Sequence, residues 1–225
     1  MNGRAVGQSG IRAIGTTGLT LTLIRHGDTD FTLSGRYQGH RDEPLNAQGR
    51  QQAQAVGDRL RAALGDEVNR AQVFASDLQR AHDTARLALP HQAVTVDARL
   101  REFNFGSFEG FTAAENQVRT AAFGAWINDP ESNPPPGGET LSAFSARLAA
   151  WLGELESDSV FAFTHGGAVR MLIALATGRT FQELGRLLSI APTDVVRLRL
   201  DEVRCCTLES LQWLRCPPVL EVARD

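Results

Sequence analysis

The sequence predicts an α/β fold, a three-layer α/β/α sandwich with a mostly parallel central sheet. Short β-rich runs at residues 19–24 (LTLTLI), Gln72–Ala75 and 160–163 are apolar enough to be buried on both faces. Stretches with apolar residues at helical spacing follow these runs, so strands and helices alternate along the chain as in parallel sheets covered on both sides. The 225 residues suffice for one good core, and length alone favours one domain.

Residues 1–18 contain scattered Gly, Ser and Thr without the apolar stretch of a secretory signal. They are expected to form a flexible leader before a single domain over 19–225. The first strand, 19–24, runs straight into Arg25-His26-Gly27. Asn46 can cap a helix on which Ala53, Val56, Leu60 and Leu64 recur at steps of three and four. After the second strand, Ser76 or Asp77 can cap a helix carrying Leu78, Ala81, Ala85 and Leu89, stopped by Pro90. Val94–Val96 reads as a brief third strand and 101–110, with its glycines and aromatics, as an ordered loop. The NPPPGG run at 133–138 cannot be helix interior, because proline lacks the donor and glycine the stiffness. From Thr140, the residues Leu141, Phe144, Leu148, Trp151 and Leu155 repeat at helical steps. The strand at 160–163 then ends at Thr164-His165-Gly166-Gly167, and a helix follows over 168–176. Parallel sheets bind ligands beyond the carboxyl ends of their strands, where both His26 and His165 stand.

Composition narrows the function. At 42% hydrophobic and 22% charged, without an apolar run near the ~20 residues of a membrane span, the chain reads as soluble and cytoplasmic with no membrane partner. A net charge of -3 and no basic run interleaved with aromatics argue against a nucleic-acid partner. All 23 basic residues are arginine, which removes the Walker-A lysine, Schiff-base lysines and lysine general bases. Cys205, Cys206 and Cys216 lack the paired spacing of a zinc site or disulfide framework and read as reduced packing residues. No metal and no cofactor are expected. The tail from Cys205 to Asp225 could cap the sheet edge or contact a partner, as in a homodimer.

Four segments place charged or nucleophilic side chains after strands or at helix starts: Arg25-His26, Ser76 to Arg80, Glu102, and His165-Gly166. Together they suit a phosphate. Arginine forks match phosphate oxygens, and a glycine-lined turn at a helix N-terminus adds backbone donors and a favourable dipole. A pocket containing Arg25 and Arg80 should oppose protonation of His26.

The blocks LIRHGDTDFTLSGRYQGHRDEPLNAQG, ASDLQRAHDTA, LREFNFGSFEG, PPGGETLSAFSARL and THGGAVRMLI resemble, in order and spacing, the histidine phosphatase (phosphoglycerate-mutase-like) superfamily across roughly residues 19–200. The resemblance implies a phosphoglycerate-mutase-like fold and a metal-independent phosphomonoesterase acting on a phosphorylated small molecule. It implies that His26 attacks phosphorus to give a phosphohistidine while Arg25, Arg80 and His165, with Gly166 beside them, hold the phosphoryl oxygens. Glu102 matches the family's acid/base, protonating the leaving alkoxide and then taking a proton from the hydrolytic water. Thr32 stands where many relatives carry an asparagine that touches the phosphate, so its hydroxyl is expected to substitute, and Asp28 stands where glutamate or glutamine is commoner. Arg36, with His40 and Glu139, is a candidate for the entrance of the site, although His40, like His82 and His91, also reads as structural.

Two other chemistries fit part of the sequence. Asp28-Thr29-Asp30-Phe31-Thr32 satisfies the DxDxT pattern of haloacid-dehalogenase-like phosphatases, which use an aspartate nucleophile and magnesium. In that family the strand leads directly into the first aspartate, whereas here Arg25-His26-Gly27 intervenes and the usual later lysine is missing. A cofactor-dependent phosphoglycerate mutase would share the chemistry as far as the phosphohistidine. Mutases that resemble this family carry a longer insertion after the residue matching Glu102, and the short segment up to Trp126 favours hydrolysis. A non-catalytic binding protein would be expected to lack one of His26, Arg80, Glu102 or His165, and all four are present.

Overall fold

The computed structural model describes residues 18–200 and 208–214. Residues 1–17 of the expected leader, together with Cys205, Cys206 and Cys216, lie outside the described residues. The elements are β1 (Thr20–Arg25), α1 (Asp30–Leu33), α2 (Ala47–Leu64), α3 (Glu67–Arg70), β2 (Gln72–Ala75), α4 (Gln79–Ala88) and β3 (Val94–Val96). They continue as α5 (Ala113–Arg119), α6 (Ala121–Asn128), α7 (Leu141–Gly153), β4 (Ser159–Thr164), α8 (Gly166–Thr177), α9 (Phe181–Leu187), β5 (Val195–Leu200) and β6 (Leu208–Leu214). Among the described residues no helix is long and apolar enough to cross a membrane.

The strands form one sheet in the order β3-β2-β4-β1-β5-β6. β1 to β4 are mutually parallel, while β5 and β6 join antiparallel at one side. The period-two alternation of strand side chains sorts the core into two layers. Leu21 and Leu23 of β1, Phe74 of β2, and Val160 and Ala162 of β4 pack in one cluster with Phe144, Leu148 and Trp151 of α7 and Leu172 of α8. Ile24, Val73, Ala75, Phe161 and Phe163 point the other way, into a cluster with Val56 and Leu60 of α2 and Ala85 and Ala88 of α4. Each large apolar side chain so buried contributes about 1.5–3 kcal/mol relative to exposure. Both sheet faces are thereby covered, as an α/β/α sandwich requires.

Two local expectations need correction. Neither Ser76 nor Asp77 caps α4: Leu78 is the N-cap residue and makes no side-chain capping bond. The Gln79 N–H instead donates to Asp42 Oδ1 at 2.7 Å, so the cap comes from the preceding loop, and the Asp77 carboxylate is occupied by Arg101 Nε at 2.8 Å. α8 starts at Gly166, with His165 as its N-cap, two residues before the predicted start at 168. Beyond 176, a stretch to which the sequence reading assigns no helix or strand, the structure adds α9, β5 and β6.

α2 and α4 approach closely because Gly57 carries no side chain; a Cβ there would collide with the Ala88 carbonyl oxygen. Gly57→Ala should therefore cost about 1–3 kcal/mol in urea unfolding despite alanine's better helix propensity. Gly185, exposed inside α9 with no other group within 4 Å of where a methyl would sit, should respond oppositely, with Gly185→Ala stabilising by about 0.5–1 kcal/mol.

Candidate active site

Strand register brings the two motif histidines together. Arg25 at the end of β1 pairs with Thr164 at the end of β4 in a parallel ladder, and the His26 N–H donates to the Thr164 carbonyl at 2.9 Å. The next residues, His26 and His165, leave the sheet side by side, with ring centroids 5.2 Å apart and planes 62° apart. β2 ends one strand over from β4, and the α4 that follows it places Arg80 in its first turn. Arg25, His26, Arg36, Tyr37, Gln38, Gly39, Arg80, Glu102 and Phe105 line one cavity of about 140 Å³.

The Nδ1 atom of His26 lies 2.7 Å from the Gly27 carbonyl oxygen. A carbonyl can only accept, so Nδ1 carries the proton and Nε2 keeps its lone pair. Burial, followed by the charges of Arg80 and Arg25, holds the His26 pKa well below the usual histidine value. His165 is likewise shifted well down by burial and by Arg80, His26 and Arg25. Two neutral imidazoles thus sit beside two guanidinium groups.

Arg80 is fully buried. Its Nη1 donates to Arg41 O at 2.8 Å and its Nη2 to Gly39 O at 2.7 Å, and burial lowers its pKa to about 10. Arg25 donates through Nη1 to the Ile190 carbonyl, and burial lowers its pKa too. The remaining polar atoms are unusual: among the described residues, Arg25 Nε, Arg80 Nε and both ring nitrogens of His165 are buried without a partner. Buried polar atoms are ordinarily hydrogen-bonded, so four orphans on three neighbouring residues mark a place built for a polar ligand.

Glu102 is fixed by two backbone donors, Phe103 N at 2.9 Å to Oε1 and Gly167 N at 2.9 Å to Oε2. A Cβ on Gly167 would overlap Oε1 and push the carboxylate aside. The Glu102 carbonyl accepts from Arg147 Nη2 at 2.7 Å and meets His40 Nε2 at 3.0 Å. Glu139 completes this support through Arg147, at 2.7 Å. His40 and Glu139 therefore hold the Glu102 loop instead of lining the cavity.

Thr32 does not line the cavity. Its hydroxyl shares one proton between Asp28 Oδ1 and Thr29 O, both at 2.8 Å, and accepts from Thr29 N at 2.8 Å in a capping box that starts α1. The Asp28 carboxylate is taken up by Thr32 and by Gln52 Nε2 at 2.7 Å, which ties the loop to α2. Gly166 lies in the first turn of α8 beside the Arg25 guanidinium, which a Cβ would meet at 3.6 Å. Arg36 lines the cavity with its fork turned to Glu115.

Several positioning residues carry no signal that sequence reading used. Thr84 accepts from Gly27 N at 3.1 Å and donates to Arg80 O at 2.6 Å, linking the nucleophile turn to α4. Thr193, at φ 58, is the one non-glycine residue with positive φ among the described residues, and its N–H points at Arg25 O (3.1 Å) and His26 O (3.3 Å). That conformation costs of order 1–3 kcal/mol and is held by its surroundings. Helical spacing between Arg80 and Thr84 could have flagged the first; nothing local to the sequence flags the second.

Against known proteins, a family model described as the histidine phosphatase superfamily (branch 1) matches residues 21–213. The chain belongs to the histidine phosphatase superfamily. An adenosylcobalamin/alpha-ribazole phosphatase of Escherichia coli is 33% identical over 167 residues, covering 71% of this chain and 80% of the relative. A phosphoglycerate mutase-like protein of Arabidopsis thaliana is 33% identical over 161 residues, covering 68% of each chain. The crystal structure of an alpha-ribazole phosphatase from Shigella flexneri superposes with a TM-score of 0.71 at 28% identity, covering 85% of this chain and 100% of that one. The phosphoglycerate-mutase-like histidine phosphatase fold is shared with such structures.

The buried histidines link stability to pH. Their folded pKa values lie below the unfolded value near 6.5, so the unfolded chain binds more protons in acid. Their contribution is present in full above about pH 6.5 and is lost as the pH falls from there toward the folded values, by up to ~1.4 kcal/mol per pH unit for each ring. Urea midpoints should fall between pH 7 and 5, and His165→Asn should flatten that slope.

Proposed function

We propose that this histidine phosphatase is a cytoplasmic phosphomonoesterase that hydrolyses a phosphorylated small molecule without a metal ion, through a phosphohistidine on Nε2 of His26. The observation that carries the reading is the set of unpartnered buried donors on Arg25, Arg80 and His165 around a histidine whose proton is held on Nδ1. Two guanidinium groups match the charge of a phosphoryl dianion, and positioning with electrostatic stabilisation supplies most of the catalysis in phosphoryl transfer.

In the first half-reaction the Nε2–P bond forms as the ester P–O bond breaks, and Glu102 gives a proton to the leaving oxygen. In the second, Glu102 takes a proton from a water whose oxygen attacks phosphorus; the P–N bond breaks and inorganic phosphate leaves. The carboxylate is suited to both halves because Phe103 N and Gly167 N hold it in one place.

The relative named as a phosphatase supports hydrolysis, and the one named mutase-like supports transfer as a second reading. Hydrolysis is favoured by the segment after Glu102. Its helices α5 and α6 contribute no lining residue to the cavity; Phe123 packs behind Tyr37, and Trp126 behind Tyr37 and Phe105. The mouth of the cavity left uncovered by this segment supports attack by water on a phosphoenzyme.

Purified protein should hydrolyse p-nitrophenyl phosphate at an undiminished rate in excess chelator, and a rate restored only by magnesium would refute the mechanism. Brief incubation with labelled substrate should trap an acid-labile phosphoenzyme that is missing in His26→Ala; label persisting in that variant would assign the nucleophile elsewhere. Glu102→Gln, and Gly167→Ala through displacement of the same carboxylate, should slow alkyl phosphates by about 10²–10⁴-fold but activated aryl esters far less. Equal losses on both would remove Glu102 as the proton donor.

A further inference from the structure

We propose that the alcohol released by this site carries no negative charge of its own, and that Glu115 enforces this by holding the Arg36 guanidinium away from the leaving group. The proposal rests on the phosphatase reading and names its substrate class: phosphomonoesters of uncharged alcohols with an apolar face.

Three cations line the cavity: Arg25, Arg36 and Arg80. The first two donors to a phosphoryl dianion are Arg25 and Arg80, whose buried Nε groups lack partners. Arg36 is the one left to meet a carboxylate or a second phosphate on the leaving group, and three of its N–H groups are already engaged by Glu115 and Gly110. Nη1 lies 2.6 Å from Glu115 Oε2 and 2.8 Å from the Gly110 carbonyl, and Nη2 lies 3.1 Å from Glu115 Oε1. Glu115 is held from a second side. It is the third residue of α5, and the same Oε2 accepts the Thr112 N–H at 2.8 Å in a capping box. The backbone of Arg36 bridges to Thr112 as well, so the ion pair is clamped at both ends.

The other lining groups are Tyr37, Gln38, Gly39, Phe105 and the Glu102 carboxylate. Tyr37 and Phe105 meet edge to face with centroids 4.9 Å apart and offer apolar surface. At about 140 Å³ the cavity holds a phosphoryl group and little more, which leaves the body of the alcohol among Arg36, Tyr37 and Phe105. An anion there would face Glu102 and Glu115, with the Arg36 guanidinium beside it already paired to Glu115.

Benzyl phosphate and 4-carboxybenzyl phosphate have the same kind of leaving oxygen and differ in charge, so their kcat/KM ratio reads this discrimination. The wild-type enzyme should favour benzyl phosphate by about tenfold or more, the scale of one charged hydrogen bond. Glu115→Gln retains an acceptor for the Thr112 N–H but neutralises the clamp, and should narrow the ratio about tenfold, chiefly through KM for the carboxylated ester. Adding Arg36→Gln to that variant should abolish the gain. Equal kcat/KM for the two esters in the wild-type protein would overturn the proposal while leaving the phosphatase reading intact, as would an unchanged ratio in a folded Glu115→Gln protein. If Glu115→Gln does not fold, the wild-type ratio alone decides. Failure to hydrolyse either ester would overturn the phosphatase reading itself, and the proposal with it.

Discussion

A carbonyl oxygen has no proton to give, so the 2.7 Å contact between Gly27 O and Nδ1 of His26 decides where the imidazole proton resides. Much of the surrounding structure serves to aim that carbonyl. Gly27 fits only because it has no side chain, since a Cβ would strike the backbone of Gly49 in α2, and Gly49 in turn lies against the backbone of Asp28. Gln52, one turn further along α2, bonds both the N–H and the carboxylate of Asp28. Thr84 takes the Gly27 N–H from the side of α4. Two helices of one layer thus converge on a single peptide, and their close approach at Gly57 is part of the same arrangement.

The second constraint is the cost of gathering cations and imidazoles where water is scarce. Burying an unpaired charge is expensive, and the protein offsets only part of it. Arg80 receives two carbonyls from the 39–41 loop and Arg25 one from Ile190, while Glu102 supplies the nearest countercharge to both. The residue of unsatisfied donors is what an incoming dianion would fill. This explains why both histidines are neutral in the ligand-free protein and why an anion should be bound there in preference to a neutral group.

Much of this was legible in the sequence because its signals are local. The LTLTLI run, the Asn46 cap and the spacing of Ala53, Val56 and Leu60 are properties of consecutive residues, and the structure forms β1 and α2 from them. Arg25, His26, Arg80 and Glu102 come to one cavity, and His165 packs against His26, because each follows a strand or starts a helix on the same edge of the sheet. What escaped depends on distant partners. α4 takes its cap from Asp42, Arg147 of α7 organises the Glu102 loop, and Thr193 steadies Arg25 and His26 from the far end of the chain. Thr32 misled for the same reason: a hydroxyl next to a phosphate motif is equally able to start a one-turn helix, and here it does. β5 pairs antiparallel with β1, a choice that neither partner's own sequence announces.

The central claim is that Nε2 of a neutral His26 is the atom that bonds to phosphorus. Phosphorus–nitrogen coupling in NMR spectra of the trapped phosphoenzyme, prepared with ¹⁵N-histidine, reads that atom directly. The expected spectrum shows one phosphorylated ring, that of His26, with phosphorus on Nε2 and a proton still on Nδ1. Phosphorus on Nδ1, on His165 or on a carboxylate would contradict it.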